Sequence, residues 1–365
     1  MRLSVQRTVL ANALSTAFRV SPARSPKEIL RNVKATVSNG EMTLFATDEE
    51  VGLTVVIPVD SQKDGTCLIG KRVSDVCREV TDDVLVLEYD EQLTVCSSAG
   101  EFRLSTEPPA EFPSPPKLEG IEWQVSAKAL AEAIAATIIA TDVESTRYAL
   151  GGVHFEARSR GTGLELAATD GRRLSVCPVP DASGAEFDPC NVPHRAAVMA
   201  LALCDGQEHV NITFGKNAIE MHAGGMTLYA RLVEGRFPKY REVIPRDFKS
   251  EYQLVSGPLV NALRQAMICS SEESRSCDLA FGDGNLTLRS VGQDVGAARV
   301  QLPVQGDDKQ DTTLDPRFLL EWLKVLGSSA SVRLRMIDTN SAVVLDSGER
   351  LYVVMPLARD DNKPK

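Results

Sequence analysis

Apolar and polar positions along this chain follow two alternating periods, and the order of those periods repeats three times. A period-two stretch that fits a strand gives way each time to a stripe at i, i+4 and i+8 that fits one face of a helix. The first stripe is Leu10, Leu14 and Phe18, the second Leu130, Ile134 and Ile138, and the third Leu259, Leu263 and Met267. Ser126 and Ser256 precede the second and third stripes where N-caps belong, and Pro258 suits a first helical turn.

A second block recurs further along each copy. LFATDEEVGLTVVIPV begins at Leu44, LAATDGRRLSVCPVP at Leu166 and LRSVGQDVGAARVQLPV at Leu288, so the two steps between copies are equal. Each reads as strand, turn and strand ending near proline. Each also follows another strand and a glycine turn, at Asn39-Gly40, Gly161-Thr162-Gly163 and Gly282-Asp283-Gly284. A second helix then begins near Arg72, Arg195 and Arg317, the last bounded by Asp315-Pro316 and Gly327. Paired strands close each copy. The pattern predicts an α+β fold of three like domains at 1–120, 121–248 and 249–365. TEPPAEFPSPPKLEG and EGRFPKYREVIPRDFKS join them as proline-stiffened connections.

Composition narrows the class. A chain of 365 residues exceeds one ordinary hydrophobic core, and 43% hydrophobic with 25% charged residues fits a globular protein. The N-terminal stretch has no continuous apolar run, and no segment approaches the length of a membrane span, so the expectation is a cytoplasmic protein without membrane association. The eight cysteines form no C-x-x-C pair and the four histidines no ligand spacing; reduced thiols, no metal and no cofactor are expected. A net charge of −10 argues against a wrapping nucleic-acid grip unless basic residues are segregated onto one surface. Basic residues do recur near the helices at matching places in the three copies, Arg72, Arg195 and Arg317 among them.

No phosphate loop, dinucleotide fingerprint or nucleophile elbow is present. The compact polar run Thr169-Asp170-Gly171-Arg172-Arg173, echoed by Thr47-Asp48, reads as a turn in which the aspartate accepts from nearby backbone amides. No second carboxylate or histidine accompanies Asp170 in the sequence to support acid–base work. The residues alone leave open a scaffold, an enzyme using Asp170 with Arg172 or Arg173, and an adaptor that binds proteins but not DNA.

Four strings in order, RYALGGVHFE at 147–156, ATDGRRLSVCPVP at 168–180, LVEGRFPKYREVIP at 232–245 and YVVMPL at 352–357, resemble the sliding clamps, the beta subunits of bacterial DNA polymerase III. The resemblance covers essentially the whole chain. It implies three clamp domains, each with an outer antiparallel sheet and two inner helices, assembled head to tail as a homodimeric ring. It implies a non-enzymatic processivity factor at the replisome that encircles double-stranded DNA without reading its sequence. Replicative polymerase, clamp loader ATPase, other polymerases and mismatch-repair factors would dock short linear peptides in a hydrophobic cleft between domains two and three.

The residues matching that cleft are Leu150, Thr169, Gly171, Arg172, Arg173, Leu174, Pro238, Val243, Val353, Val354, Met355, Pro356 and Leu357, with Phe318 where the family often has tyrosine. One Leu or Phe anchor docked there is worth about 1.5–3 kcal/mol before ordering costs, so two or three give micromolar binding. For DNA the resemblance implies Arg24 and Tyr148, then Lys71, Arg72 and Arg195; Ala149 stands where some relatives have a second aromatic. For the dimer seam it implies Arg72, Val76 and Leu104 facing Ile268 and Cys269. The charged stretch ARDDNKPK, 358–365, extends past the point where relatives usually stop, and mobility near the cleft is expected of it.

Overall fold

The computed structural model describes residues 1–142, 148–158, 162–270, 275–292, 294–306 and 308–357, with Tyr148 and Thr162 described by backbone alone. Its helices are α1 (Arg7–Ala17), α2 (Arg72–Glu79), α3 (Ala127–Ile138), α4 (His194–Cys204), α5 (Ser256–Met267) and α6 (Pro316–Leu326). One order of elements runs through the chain three times: strand, helix, four strands, helix, three strands, with one extra short strand, Asp60–Lys63, in the first copy. The strand before each second helix (Gly65–Ile69, Cys190–Pro193, Gln310–Leu314) was not visible in the hydrophobic pattern. These strands are short and their sequences do not alternate cleanly, so they form by pairing with a neighbour and not by local preference.

The chain forms two compact units, Met1–Ala127 with Ala202–Leu232, and Lys128–Leu201 with Val233–Lys365, so the middle copy contributes to both. In the first unit, the antiparallel strands Asp60–Lys63, Arg2–Gln6, Val84–Tyr89, Leu93–Cys96 and Glu101–Leu104 lie side by side in that order. A longer ladder runs from Ile121–Ser126 through His209–Phe214, Ala218–Ala223, Met226–Arg231, Val51–Pro58, Glu41–Thr47 and Val33–Ser38 to Gly65–Ile69. Leu10 and Leu14 of the first stripe are buried on α1 beside Ala13 and Ala17, while Phe18 caps the helix half-buried; Val73, Val76 and Cys77 of α2 are buried as well.

The second unit carries its own ladder. It begins at Ser250–Val255 and continues through Ser331–Met336, Val343–Ser347, Arg350–Val354, Arg173–Gly184, Thr162–Thr169 and Gly152–Ala157 to Cys190–Pro193. A four-stranded sheet in the order Gly296–Pro303, Asn285–Gly292, Cys277–Gly282, Gln310–Leu314 completes it. The core of its last copy joins Leu259 and Leu263 of α5 to Leu319, Trp322 and Leu323 of α6 and to Tyr252, Leu334 and Tyr352 of the sheets. Trp322 stacks on Tyr352 with ring centres 5.2 Å apart and planes 8° from parallel, both fully buried.

Turn chemistry accounts for the hairpins. Asn39 and Gly40 have φ of 55° and 79°, and Asp283 and Gly284 have 52° and 71°, the paired positive angles that a two-residue hairpin needs to match strand twist. Helix α6 starts at an Asp315 cap whose carboxylate accepts from the Arg317 amide at 3.0 Å, and stops at Gly327. Ser256 departs from expectation. It is the first residue of α5, preceded by an N-cap at Val255 without a side-chain bond, and its buried hydroxyl donates to the Leu323 carbonyl at 3.0 Å. Packing against α6 outcompetes the local cap. No helix among the described residues is long and apolar enough to cross a membrane.

Candidate functional site

All of the cleft residues inferred from sequence lie in the second unit. Strand Arg173–Gly184 pairs antiparallel with Arg350–Val354, which sets Leu174 opposite Val353 and Val176 opposite Leu351. These two pairs share one face of the ladder, because strand side chains alternate. There Leu174, Val176 and Val353 join Leu150, Ala167, Phe237, Tyr240, Ala342 and Val344 in a buried apolar cluster, with Ile244, Phe248 and Leu351 half-buried beside it. The cluster is a floor.

Its surroundings are open. Val243 is 66% exposed and Met355 49%, while Gly171, Arg172 and Pro238 are exposed and Pro356 and Leu357 half-buried. Exposed apolar side chains around a buried apolar floor form a surface that a short apolar peptide would cover. Val354 corrects the expectation. It opposes Arg173, points to the other face with Tyr352 and is fully buried in the core of the last copy. Strand alternation lets a run of three apolar residues supply a cleft with only some of its members.

The 169–173 turn borders this floor. Asp170 Oδ1 accepts from the backbone amides of Arg172 (2.9 Å) and Arg173 (3.0 Å), and Oδ2 accepts from Arg173 Nε at 2.9 Å. The Thr169 hydroxyl donates to the Arg173 carbonyl at 2.6 Å and accepts from the Gly171 amide at 3.1 Å. This is the expected aspartate turn. The first unit builds the same turn at Thr47–Val51, with Asp48 Oδ1 accepting from Glu50 and Val51 and the Thr47 hydroxyl donating to Val51.

Arg173 is not a free cation. Its guanidinium is paired with Asp170 and Glu321 and lies over the Phe318 ring, with a side chain only 10% exposed. Met355 is tied to the same turn, its amide donating to the Arg172 carbonyl at 2.8 Å, and the Leu357 amide donates to the Thr313 carbonyl at 2.8 Å.

The linker after Val233 supplies residues that sequence reasoning missed. Phe237 stacks on His154, with centres 4.5 Å apart and planes 7° from parallel, and Asn191 ties the pair together. Its Oδ1 lies 2.8 Å from His154 Nδ1, and its Nδ2 donates to the Gly235 carbonyl at 3.0 Å. Burial pushes the His154 pKa below the ordinary value, against a raising pull from Asn191 and Glu156. The signal was present: Phe237, Tyr240, Ile244 and Phe248 recur every three or four residues in a segment from which the sequence reading took only Pro238 and Val243 for the cleft.

The residues inferred for DNA and for the seam are placed as follows. Arg24, Lys71 and Arg72 are exposed on the first unit, and Arg195 is exposed on the second. Tyr148 lies in the 3-10 turn Tyr148–Leu150, and its side chain is outside the described residues, as is the whole 358–365 stretch. Ile268 is 73% exposed, whereas Cys269 and Leu104 are half-buried. Val76 is buried in its own unit and has little surface to offer a second copy. Among the described residues, strand Glu101–Leu104 in one unit and strand Gly296–Pro303 in the other are each hydrogen-bonded along one edge only.

Comparison with known proteins follows the chain from end to end. Models of the DNA polymerase III beta subunit match it at residues 1–116 (N-terminal domain), 124–239 (central domain) and 241–357 (C-terminal domain). The beta sliding clamps of Salmonella typhimurium and of Escherichia coli K12 are each 27% identical, with 98% of this chain and 100% of the relative covered. A crystal structure of the DNA polymerase III subunit beta from Pseudomonas aeruginosa superposes with a TM-score of 0.92 at 26% identity, covering 98% of this chain and all of that one. A sliding clamp from the same organism, bound to griselimycin, gives 0.93 at 26% identity and the same coverage.

Proposed function

The chain belongs to the DNA polymerase III beta subunit family, and on that premise we propose that it is the processivity factor of a replicative polymerase, a homodimeric ring that encircles duplex DNA. The observation that carries this reading is the apolar floor of Leu150, Leu174 and Val353, bordered by exposed Val243 and Met355, in a chain matched along its length to that family. Polymerase, clamp loader and repair factors would each place Leu or Phe anchors of a short peptide on this floor.

Enclosure makes a tight grip on DNA unnecessary. With a net charge of −10, the protein has little overall attraction for phosphates, and a few exposed cations such as Arg24, Lys71, Arg72 and Arg195 would supply a weak, sequence-independent contact. Weak contacts let a ring slide. Two copies would meet through the unpaired edges of strands Glu101–Leu104 and Gly296–Pro303, where a shared ladder satisfies backbone groups otherwise left to water. Exposed Phe102 and Ile268 would be covered by such a contact.

The test is topological. Loaded onto nicked circular DNA by a clamp loader, the protein should remain bound through gel filtration and be lost once the circle is cut by a restriction enzyme. Equal loss from circles and linear molecules would remove enclosure and leave an adaptor that binds proteins only.

A further inference from the structure

We propose that Glu156 and Glu165 form a paired-carboxylate latch that fixes residues 237–244 as one wall of the apolar groove, with Tyr240 and Arg241 as its positioning residues. The proposal rests on the groove reading given above and assigns a task to side chains that this reading leaves unused.

Glu156 and Glu165 are direct cross-strand partners in the antiparallel pair Gly152–Ala157 and Thr162–Thr169. Their side chains are 14% and 15% exposed. Like charges placed opposite each other on a sheet destabilise it, and partial burial weakens the screening that would make them tolerable. The strand pair therefore carries a repulsion that something else must offset.

The linker offsets it. The Tyr240 hydroxyl donates to Glu165 Oε1 at 2.8 Å and also contacts Glu156 Oε1. Arg241 Nη2 reaches Glu156 Oε1 at 2.7 Å and contacts Glu165 Oε1 as well. The Arg241 guanidinium lies over the Tyr240 ring, 4.9 Å from its centre, so the two side chains bind the carboxylates as one body. The other charged neighbours contribute less. Arg158 Nε is 3.9 Å from Glu165 Oε2 and shares itself with Glu349 at 3.3 Å. His154 Nε2 is 3.9 Å from Glu156 Oε2, and burial favours its neutral form.

Detaching the linker would leave two adjacent carboxylates without the Tyr240 hydroxyl or the Arg241 guanidinium, with Arg158 as their nearest cation. That penalty holds the segment down more firmly than the packing of Phe237 and Ile244 alone. Pro238 lies two residues before Tyr240, and Val243 two residues after Arg241, so the latch sets where both exposed residues stand. The consequence for a docked peptide is preorganisation: a wall already in place need not be ordered at binding.

The test compares full-length wild type with Arg241→Gln, Arg241→Lys and Glu165→Gln. Two measurements are made, backbone hydrogen exchange over 234–245 and affinity for a labelled hexapeptide bearing adjacent leucine and phenylalanine. Arg241→Gln should speed exchange in that segment and weaken the peptide roughly tenfold, the size of one charge-assisted hydrogen bond. Glu165→Gln should do the same in smaller measure, and Arg241→Lys should restore most of the affinity, while exchange in strands 331–336 and 343–347 stays at the wild-type rate. Unchanged exchange in Arg241→Gln, or faster exchange with unchanged affinity, overturns the latch as a positioning device. If wild type itself fails to hold the peptide, the groove reading falls and the positioning role with it, and a surviving exchange response separates that failure from failure of the latch.

Discussion

The guanidinium carbon of Arg173 lies 4.3 Å from the centre of the Phe318 ring, while the same side chain pairs with Asp170 and Glu321. One residue thus joins the turn beside the apolar floor to helix α6. A planar, forked cation over an aromatic face cannot be replaced by lysine without losing either the stacking or a pairing. Arg173→Ala leaves two carboxylates, one of them half-exposed, and should cost about 2–3 kcal/mol in urea melts. Arg173→Lys should recover less than half of that loss. A variant melting like wild type would mean that the cluster is ornamental.

The two matching turns test backbone strain in opposite directions. Gly171 adopts φ of 84° and a Cβ there would meet nothing within 4 Å, so Gly171→Ala carries only the conformational penalty, about 1 kcal/mol. In the first unit Glu49 sits at φ of 77°. Glu49→Gly should stabilise by roughly 0.5 kcal/mol, since the Lys27–Glu49 ion pair that it removes is exposed and worth little. Thermal melts of both variants should move in opposite directions; shifts of the same sign would show that the turns are not equivalent in energy.

These turns were legible before any coordinates because their chemistry is local. Asn39-Gly40 and Asp283-Gly284 carry their own angles, and Asp315 and Gly327 bound a helix without help from distant residues. The tripled order of strands and helices was legible for the same reason, since periodicity is a property of short windows. What escaped was set by register. Val353 and Val354 look alike in sequence, and only the pairing with Arg173–Gly184 decides that one lines the floor and the other the core. Glu156 and Glu165 lie on different strands, and only the hairpin register sets them opposite each other. Ser256 read as a cap because its competitor, the Leu323 carbonyl, is remote in sequence.

Buried His154 and half-buried His194 predict how stability changes with pH. Burial pushes both His154 and His194 below the ordinary histidine pKa, so the unfolded chain takes up these protons at higher pH than the folded one. The sign follows directly: stability holds above about 6.5 and declines as pH falls through that value toward the lower folded pKa values. Urea melts between pH 8 and 5 should show this decline, and His154→Gln should flatten part of it. A His154→Gln slope identical to wild type would place the proton uptake at other groups.

Met355 separates binding from folding. Its side chain is 49% exposed, and its fixed point is the backbone amide bonded to Arg172, which alanine keeps. Met355→Ala should therefore change stability by no more than about 0.5 kcal/mol. A docked peptide would bury that exposed half, and losing the contact should weaken a leucine- and phenylalanine-bearing peptide by about five- to tenfold. Val354→Ala provides the opposite case. It is fully buried on the core face, so it should cost 2 kcal/mol or slightly more in stability, at the low end for a core cavity, with a smaller effect on affinity. Calorimetry of peptide binding and urea melts on the two variants should give crossed results. A Met355→Ala protein that binds as tightly as wild type would move the peptide off this side of the floor and toward the 237–244 wall.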